Sequence, residues 1–399
     1  MTSEATLDLV PVAADGVESC ELDGELLVWQ GNRLHRLSVV GAIAWDHFDG
    51  KATVGELSRT LAESFGAEES EVQRDLLALC SDLLHEGLLR GGRTDRPEPP
   101  PPQYRYGRPP SAPLTAHDRA PHTTGRFVTF QHDFGIRTDD AWLGTYLSRT
   151  LRAFAVSGSP TRWYSVIGST DPEERYRIYL DDEGLFAAPT LDRAARYVLW
   201  HINAQVIQST DGHMLVHGAG ATLQDGAVVL PAEMNAGKTT LVAGLILDGF
   251  SLLTDELVAL NLKTGLVDPY PRPLNVGIGS WDLLPSLRPA DRDEAQPIPE
   301  RLWHVDVTSI RSDIVARPAP IRWVITPSFE RGAATQLYPL SRSATVELLH
   351  ENTFNRHRFG GTGIRALIAA VKGARGARLI NGDLASAVAA VRRFIEESG

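Results

Sequence analysis

The chain has 399 residues, a formal net charge of −11 and 43% hydrophobic residues. This ordinary globular composition predicts two or three domains, each with enough apolar residues for a core. No apolar run approaches the roughly 20 residues that cross a bilayer, and the N-terminus lacks the basic and apolar parts of a signal peptide. We therefore expect a cytoplasmic protein without a membrane partner, whose two cysteines, Cys20 and Cys80, are reduced thiols.

The first ninety residues predict a small α+β domain. Three segments have strand patterns: 7–12, 25–30 and 33–37. Gly31 and Asn32 make a tight turn between the last two segments. Helical patterns follow over roughly 39–48, 53–65 and 72–84, and Thr53 with Glu56 forms a capping box. Strands followed by three helices in this order are typical of a winged-helix-like unit.

The spacing of residues in this segment resembles the PqqD-like family. The positions that carry the resemblance are Leu37-Ser38, Gly41, Trp45, Gly50, Thr53-Val54, Leu57, Phe65-Gly66, Val72, Asp75-Leu76, Leu83 and Gly87-Leu88-Leu89. Domains of that family capture the leader of a ribosomally made precursor peptide as an added strand, beside the third strand and against the third helix. The resemblance implies a groove lined by Leu34, His35, Leu37, Val72, Leu76 and Leu79. It implies a precursor peptide as the partner, with other peptide-modifying enzymes as a further class.

A winged helix more often binds nucleic acid, but the charge argues against that function here. Residues 1–92 contain 17 acidic and 6 basic residues. Such a domain repels phosphate backbones and attracts basic or neutral peptides instead. A purely structural appendage is the alternative that the sequence leaves open.

Proline marks the boundary between two domains. The segments 96–102 and 108–113 are rich in proline, which favours polyproline II and a semi-rigid spacer. An SH3-type ligand is the alternative interpretation of these prolines. We expect a recognition domain over 1–92, a linker over 93–124 and a second domain over 125–399.

The most informative motif of the chain lies at 228–240. An apolar strand pattern, Val228-Val229-Leu230, precedes a loop that ends in Gly237-Lys238-Thr239, and an apolar helical pattern follows. This is the order of a phosphate-binding loop, in which main-chain amides and the helix dipole face an anion. Lys238 would reach the β- and γ-phosphates of ATP, and Thr239 would bind Mg²⁺. The residues expected to hold the nucleotide are Asn235, Ala236, Gly237, Lys238, Thr239 and Thr240.

The loop departs from the usual pattern at Ala232, where the motif has glycine. Alanine fits only if its φ is negative, so a chance match is the alternative. The flanking sequence favours the motif, because 215–220 and 226–230 predict a hairpin that leads into the loop. Residues 250–260 predict a strand that pairs in parallel beside the loop strand and carries Asp255 and Glu256 at its centre.

Together, His217-Gly218, the loop and Asp255-Glu256 resemble the core of the HPr kinase/phosphorylase family. That family has a phosphoenolpyruvate-carboxykinase-like P-loop fold and phosphorylates a serine of a protein partner. The resemblance implies Asp255 as the base, His217 as the residue that orients it, and Glu256 with Thr239 at the metal. The chain departs from the family in having Glu256 for aspartate and no lysine before Gly277.

A basic turn at 356–361 supplies two further candidates. Arg356 or Arg358 could contact the γ-phosphate and stabilise the transferring group. Solvated arginines on a loop are the alternative. We also expect two helices near the C-terminus, over roughly 344–350 and 384–397.

The sequence therefore predicts an α/β protein with an N-terminal winged-helix-like α+β domain, a proline-rich linker and a C-terminal P-loop α/β domain. The function hypothesis is an ATP- and Mg²⁺-dependent kinase that phosphorylates a serine or threonine of a bound precursor peptide. Two alternatives are a non-catalytic protein that escorts the peptide and a small-molecule kinase. Related P-loop kinases form oligomers, but the sequence does not predict an interface.

Overall fold

The computed structural model describes residues 4–90, 107–115, 122–234, 236–288 and 302–397. The chain divides into two compact units, one of 1–101 with 339–376 and the other of 102–338 with 377–399. Residues 339–376 lie with the first unit in this division, and the boundary between the units at residue 101 falls inside the predicted linker. The three-part organisation predicted from the sequence, 1–92, 93–124 and 125–399, stays a prediction. Most of the predicted linker lies outside the described residues.

The N-terminal part contains three strands and three helices: β1 (Glu18–Leu22), β2 (Glu25–Gln30), β3 (Arg33–Leu37), α1 (Val39–Trp45), α2 (Val54–Phe65) and α3 (Glu69–His85). The next part contains β4 (His122–Thr123), β5 (Arg126–Thr129), β6 (His132–Thr138), α4 (Ala141–Thr150), β7 (Ala155–Val156), β8 (Arg162–Gly168), β9 (Tyr176–Leu180), β10 (Glu183–Ala188) and α5 (Leu191–Ser209).

The phosphate-loop part follows with β11 (His213–Leu223), β12 (Gly226–Pro231), α6 (Lys238–Leu247), β13 (Ser251–Thr254), β14 (Leu257–Asn261), β15 (Val267–Asp268), β16 (Leu274–Gly277) and β17 (Leu302–Val305). The chain ends with β18 (Ile321–Phe329), β19 (Gln336–Leu340), α7 (Arg342–Glu351), α8 (Gly360–Val371), β20 (Arg375–Asn381) and α9 (Leu384–Glu396). This architecture confirms the predicted fold class, a small α+β domain followed by a larger α/β domain.

The first unit is built on the antiparallel sheet β1-β2-β3. Side chains alternate between its faces. Val28 and Leu37 join the core that α1, α2 and α3 form on one face. Leu27 and Trp29 point to the opposite face and are nonetheless buried, so the sheet is covered on both sides.

Helices α7 and α8 cover that second face. Arg36 of β3 pairs with Glu347 of α7 at 2.7 Å between Nε and Oε2. Arg365 of α8 donates to Glu18 of β1 at 2.7 Å. The small domain is thus completed by a helical pair that follows it in sequence by some 250 residues.

One predicted strand of this unit is wrong. Residues 7–12 do not form a strand, and Val12 makes only an isolated bridge to Asp49. Pro11 lacks an N–H group and interrupts any ladder there. The first strand is β1, which pairs with β2 through a turn at Asp23 and Gly24.

The second unit contains two larger sheets. One has the strand order β10-β9-β8-β6-β5-β7, with β4 beside β6. The other has the order β15-β14-β11-β12-β18-β20-β19, with β13 beside β11. Apolar residues of α6 and α9 pack on the second sheet in a continuous core that includes Leu241, Leu245, Val391 and Trp323.

The structure corrects the expected pairing of residues 250–260. This segment forms two strands, β13 and β14, that both pair antiparallel with β11. The parallel neighbour of the loop strand β12 is β18. The acidic pair Asp255-Glu256 occupies the break between β13 and β14. Among the described residues, no helix has the length and apolar character needed to cross a membrane.

Candidate active site

The predicted phosphate loop joins β12 to α6. Gly237 is the N-cap of α6 and has a φ of 88°, a left-handed conformation that favours glycine. Ala232 is buried and does not have a positive φ. The alanine that stands in place of the motif glycine therefore fits the backbone without strain. Asn235 lies outside the described residues.

Lys238 begins helix α6 and is only 8% exposed. Its ammonium group donates to the carbonyl oxygens of Ala232 at 2.6 Å and Glu233 at 2.7 Å. Burial lowers the pKa of Lys238, while the nearby carboxylates of Glu256 and Asp255 act in the opposite direction. The loop thus holds a buried cation at the positive end of a helix, which is a favourable place for an anion.

The turn between β13 and β14 presents the two acids. The hydroxyl oxygen of Thr254 accepts from the amides of Glu256 at 3.2 Å and Leu257 at 3.1 Å. The amide of Gly218 on β11 donates to the main-chain oxygen of Glu256 at 3.0 Å. These bonds satisfy the main chain where the strand is interrupted.

Asp255 is the buried acid of the pair and is 2% exposed. Its Oδ2 accepts from the amide of Asn275 at 3.0 Å. Burial raises the pKa of Asp255 to about 6, and hydrogen bonds from the Asn275 amide and the Thr239 hydroxyl partly offset the effect. The buried Oδ1 atoms of Asp255 and Asn275 have no hydrogen-bond partner, although such atoms are normally satisfied.

Glu256 is the more exposed acid. Its Oε2 accepts from Nη1 of Arg272 at 3.0 Å, and its Oε1 lies 3.8 Å from Nε2 of His217. Burial lowers the pKa of His217, as does the charge of Lys238, whereas Glu256 raises it.

The structure pairs these residues differently from the sequence prediction. From the sequence we expect His217 to orient Asp255 as the base, and Glu256 to bind the metal together with Thr239. In the structure Asp255 contacts Thr239, and His217 lies beside Glu256. The break in the strand explains the exchange, since neighbouring residues of a turn point in different directions.

The residues at this site fit a hydrated magnesium ion. Mg²⁺ binds through one or two carboxylates together with substrate phosphates and waters. Thr239, Asp255 and the unpartnered Oδ1 of Asn275 offer oxygen atoms of the required type. Within the described ranges, no group of three or more His, Cys, Asp or Glu side chains is placed to hold a metal ion.

Two residues of the site escaped sequence analysis. Arg272 is 8% exposed and comes from the irregular segment before β16. Ser280, in the short 3₁₀ turn after β16, bonds through its hydroxyl to the hydroxyl of Thr240. A local signal exists only for Arg272, which stands between two prolines in Tyr270-Pro271-Arg272-Pro273 and is thereby held in an extended conformation.

The remaining predicted site residues lie in the first unit. Arg356 and Arg358 form a 3₁₀ turn between α7 and α8, and their contact with a nucleotide stays a prediction. Of the proposed peptide-groove residues, Leu37 and Leu76 are buried in the core of the small domain. The other four are partly exposed: Leu34, His35, Val72 and Leu79. Leu34 is on the face of β3 opposite to Leu37, toward α7.

Comparison with known proteins supports the identity of the small domain. Residues 25–89 match the family model described as coenzyme PQQ synthesis protein D. Residues 25–89 are a PqqD domain. This match agrees with the resemblance of the segment to PqqD-like domains and spans β2 to the end of α3.

Two other comparisons were made with solved structures and with curated proteins. A solved structure, the Hpr(Ser) kinase/phosphatase from Coxiella burnetii, is similar over 46% of this chain and 98% of that chain, with 12% identity and a TM-score of 0.25. A search of curated proteins finds no match.

Proposed function

We propose that the protein transfers the γ-phosphoryl group of ATP to a serine or threonine hydroxyl of a ribosomally made precursor peptide, which its PqqD domain holds. The observation that carries the proposal is the arrangement of Lys238. Its buried ammonium group begins α6 and interacts with the carboxylates of Asp255 and Glu256. A cation, a helix N-terminus and two acids are the elements that phosphoryl transfer requires.

The nucleotide would bind through its phosphates. The loop amides from Ala236 to Thr240 and the dipole of α6 attract the phosphate oxygens. Lys238 would exchange the carbonyl oxygens of Ala232 and Glu233 for the β- and γ-phosphates. This exchange is favourable because an ammonium–phosphate contact is stronger than a contact with a neutral carbonyl oxygen.

Thr239, Asp255 and Asn275 would hold the magnesium ion. When bound, Mg²⁺ supplies neutralisation of the charge that develops on the phosphate oxygens. The raised pKa of Asp255 supports this role, because burial disfavours the charged carboxylate and a bound cation would offset that cost.

Glu256, with His217 beside it at 3.8 Å, would receive the proton of the acceptor. The acceptor oxygen attacks the γ-phosphorus, the bond to the β-phosphate oxygen breaks, and ADP leaves. The hydroxyl proton passes to Glu256, which is more exposed than Asp255 and therefore open to a substrate. Arg272 orients this carboxylate through its 3.0 Å hydrogen bond. This assignment differs from the sequence expectation, in which Asp255 is the base.

The PqqD domain would raise the local concentration of the acceptor. An extended leader segment adds to the outer edge of β3 through main-chain hydrogen bonds, and Val72 and Leu79 of α3 contact its side chains. The strong negative charge of residues 1–92 favours a basic or neutral leader. The cytoplasmic location of the protein stays a prediction.

The experiment combines nucleotide binding with transfer. The full chain is titrated with ATP and Mg²⁺ by calorimetry and then incubated with a precursor peptide that has a basic or neutral leader and serine or threonine in its core. The products are examined by mass spectrometry. We expect ADP and a singly phosphorylated peptide for the wild type and neither for Lys238→Ala. Lys263→Ala is the matched control, because Lys263 is exposed in the turn after β14.

The outcome separates the proposal from its main alternative. Nucleotide binding without a phosphorylated peptide would favour a protein that escorts the peptide. Phosphorylation of a small molecule with no effect of peptide would favour the small-molecule kinase. Equal activity of the wild type and Lys238→Ala would show that the phosphate loop takes no part in the transfer.

A further inference from the structure

Phe329 is an exposed aromatic residue beside the phosphate loop. Its side chain is 53% exposed, although burying a phenyl ring is worth roughly 1.5–3 kcal/mol. A Cβ atom built on Gly237 would lie 3.8 Å from the Cβ of Phe329. The Cβ of Phe329 therefore lies beside the N-cap of α6, close enough to touch a side chain there.

The strand that carries Phe329 explains its position. Trp323 and Ile325 of β18 point to the face of the sheet where α6 packs, and both belong to the core there. Phe329 has the same parity along the strand, so its side chain lies on the same face. Since β18 runs parallel to the loop strand β12, its last residue reaches the edge of the sheet where the loop begins α6.

Phe329 and the acidic pair lie on opposite sides of the loop strand. The sheet order places β11 on one side of β12, and β13 and β14 pair with the far edge of β11. Asp255 and Glu256 join those two strands. On the other side of β12 lies β18 with Phe329. A triphosphate whose γ-phosphate points to the acids must direct its nucleoside away from them.

We propose that the Phe329 ring is the stacking surface for the nucleobase of the bound nucleoside triphosphate. The inference rests on the proposed nucleotide site and adds the place of the base to it. An exposed phenyl ring suits this purpose, because every nucleobase has an apolar face and such stacking is worth roughly 1–3 kcal/mol per base. The contact favours nucleotides over inorganic phosphates, which have no base to stack.

The test compares two ligands that differ in the nucleoside alone. Dissociation constants of the full chain for ATP and for inorganic tripolyphosphate are measured by calorimetry in the same magnesium buffer. Phe329→Ala is expected to weaken ATP binding about tenfold or more and to change tripolyphosphate binding by less than twofold. Phe329→Trp keeps an aromatic ring at this position and is expected to bind ATP about as tightly as the wild type.

A matched control comes from the acid side of the loop. Ile278 is 58% exposed in the short turn after β16, and Ile278→Ala is expected to leave both constants unchanged. If Phe329→Ala lost affinity equally for both ligands, or lost none for ATP, the stacking role would be overturned while the phosphate site would stand. Failure of the wild type to bind either ligand would overturn the nucleotide site itself, and the stacking role with it.

Discussion

Arg272 and Glu256 form a hydrogen-bonded ion pair, with 3.0 Å between Nη1 and Oε2. The two residues are 16 positions apart, and the arginine is almost buried. The pair fixes one oxygen of Glu256 and leaves the other near His217. The HPr kinase pattern has an aspartate at this position. The longer side chain of Glu256 reaches the guanidinium of Arg272, so the substitution comes with a specific contact.

Removing the guanidinium should reduce transfer much more than nucleotide binding. Charged hydrogen bonds contribute roughly 1.5–3 kcal/mol, so Arg272→Gln is expected to lower kcat by about 10- to 100-fold. The dissociation constant of ATP should change by less than threefold, because Arg272 holds the acid and not the loop. Steady-state kinetics and calorimetry measure the two effects, with the exposed Arg322→Gln as control. A loss confined to ATP binding would contradict this role.

Asp255 should make the ligand-free protein less stable at neutral pH. Burial raises the pKa of its carboxyl from the ordinary value of 3.8 to about 6, so the folded state binds this proton more tightly than the unfolded chain does. The free energy of unfolding therefore falls as the pH rises from about 4 to 6. Above that range it is lower by on the order of 3 kcal/mol. Asp255→Asn should melt at a higher temperature than the wild type at pH 7.5 and at about the same temperature below pH 4.

The same variant should be inactive, which separates function from stability. Thermal unfolding without nucleotide or magnesium is followed alongside peptide phosphorylation, with the exposed Asp225→Asn as the matched control. A lower melting temperature for Asp255→Asn at pH 7.5 would show that the buried carboxylate stabilises the fold, contrary to its environment.

Magnesium binding should depend on the titration of Asp255. Cations bind the deprotonated carboxylate, and with a pKa of about 6 roughly one molecule in ten is deprotonated at pH 5. The affinity of the ATP complex for Mg²⁺ should therefore be roughly tenfold lower at pH 5 than at pH 7.5, beyond the change that ATP shows alone. Asp255→Asn provides the baseline, and an identical pH dependence in that variant would exclude Asp255 as a ligand.

Trp29 should contribute strongly to the stability of the first unit. Its side chain is 3% exposed on the sheet face that α7 and α8 cover. Trp29→Ala is expected to cost about 3–5 kcal/mol, measured by urea unfolding of the full chain. Phe65→Ala, at a residue that is 47% exposed, is the control and should cost less than about 1 kcal/mol. Similar losses for both would contradict a structural role for the helical pair.

This arrangement limits what a deletion can show. Removing residues 1–95 uncovers the faces of α7 and α8 that contact the sheet, so a loss of activity in the deletion has two causes. A point variant of the peptide groove is the better test. Val72→Asp places a charge on the partly exposed face of α3 and should weaken peptide capture strongly while leaving ATP binding intact. Arg74→Ala, on the exposed part of the same helix, should bind peptide normally.

The sequence predicts well those features that depend on nearby residues. The phosphate loop follows from an apolar strand, Gly237-Lys238-Thr239 and an apolar helix, all within 20 residues. The hairpin of β2 and β3 follows from the Gly31-Asn32 turn, and the capping box at Thr53 and Glu56 forms as expected. In each case the interactions that decide the structure are local.

Features that depend on distant contacts escaped prediction. Helix α8 begins with Gly360-Gly361-Thr362-Gly363, a composition that argues against a helix. The structure explains Gly361, because a Cβ there would lie 2.9 Å from Glu18 and 3.1 Å from Trp29. That close approach involves residues more than 300 positions away, which no local pattern reveals. The prolines beside Arg272 indicate only an extended backbone, and its hydrogen bond to Glu256, 16 positions away, has no local signal.

The most direct test follows the label from γ-phosphate-labelled ATP during incubation with the same precursor peptide. Wild type, Lys238→Ala and Val72→Asp are compared side by side. The account predicts rapid labelling of a serine or threonine by the wild type, none by the lysine variant, and labelling by the valine variant that recovers only at high peptide concentration. Peptide that stays unlabelled with the wild type, or is labelled equally by Lys238→Ala, would contradict it.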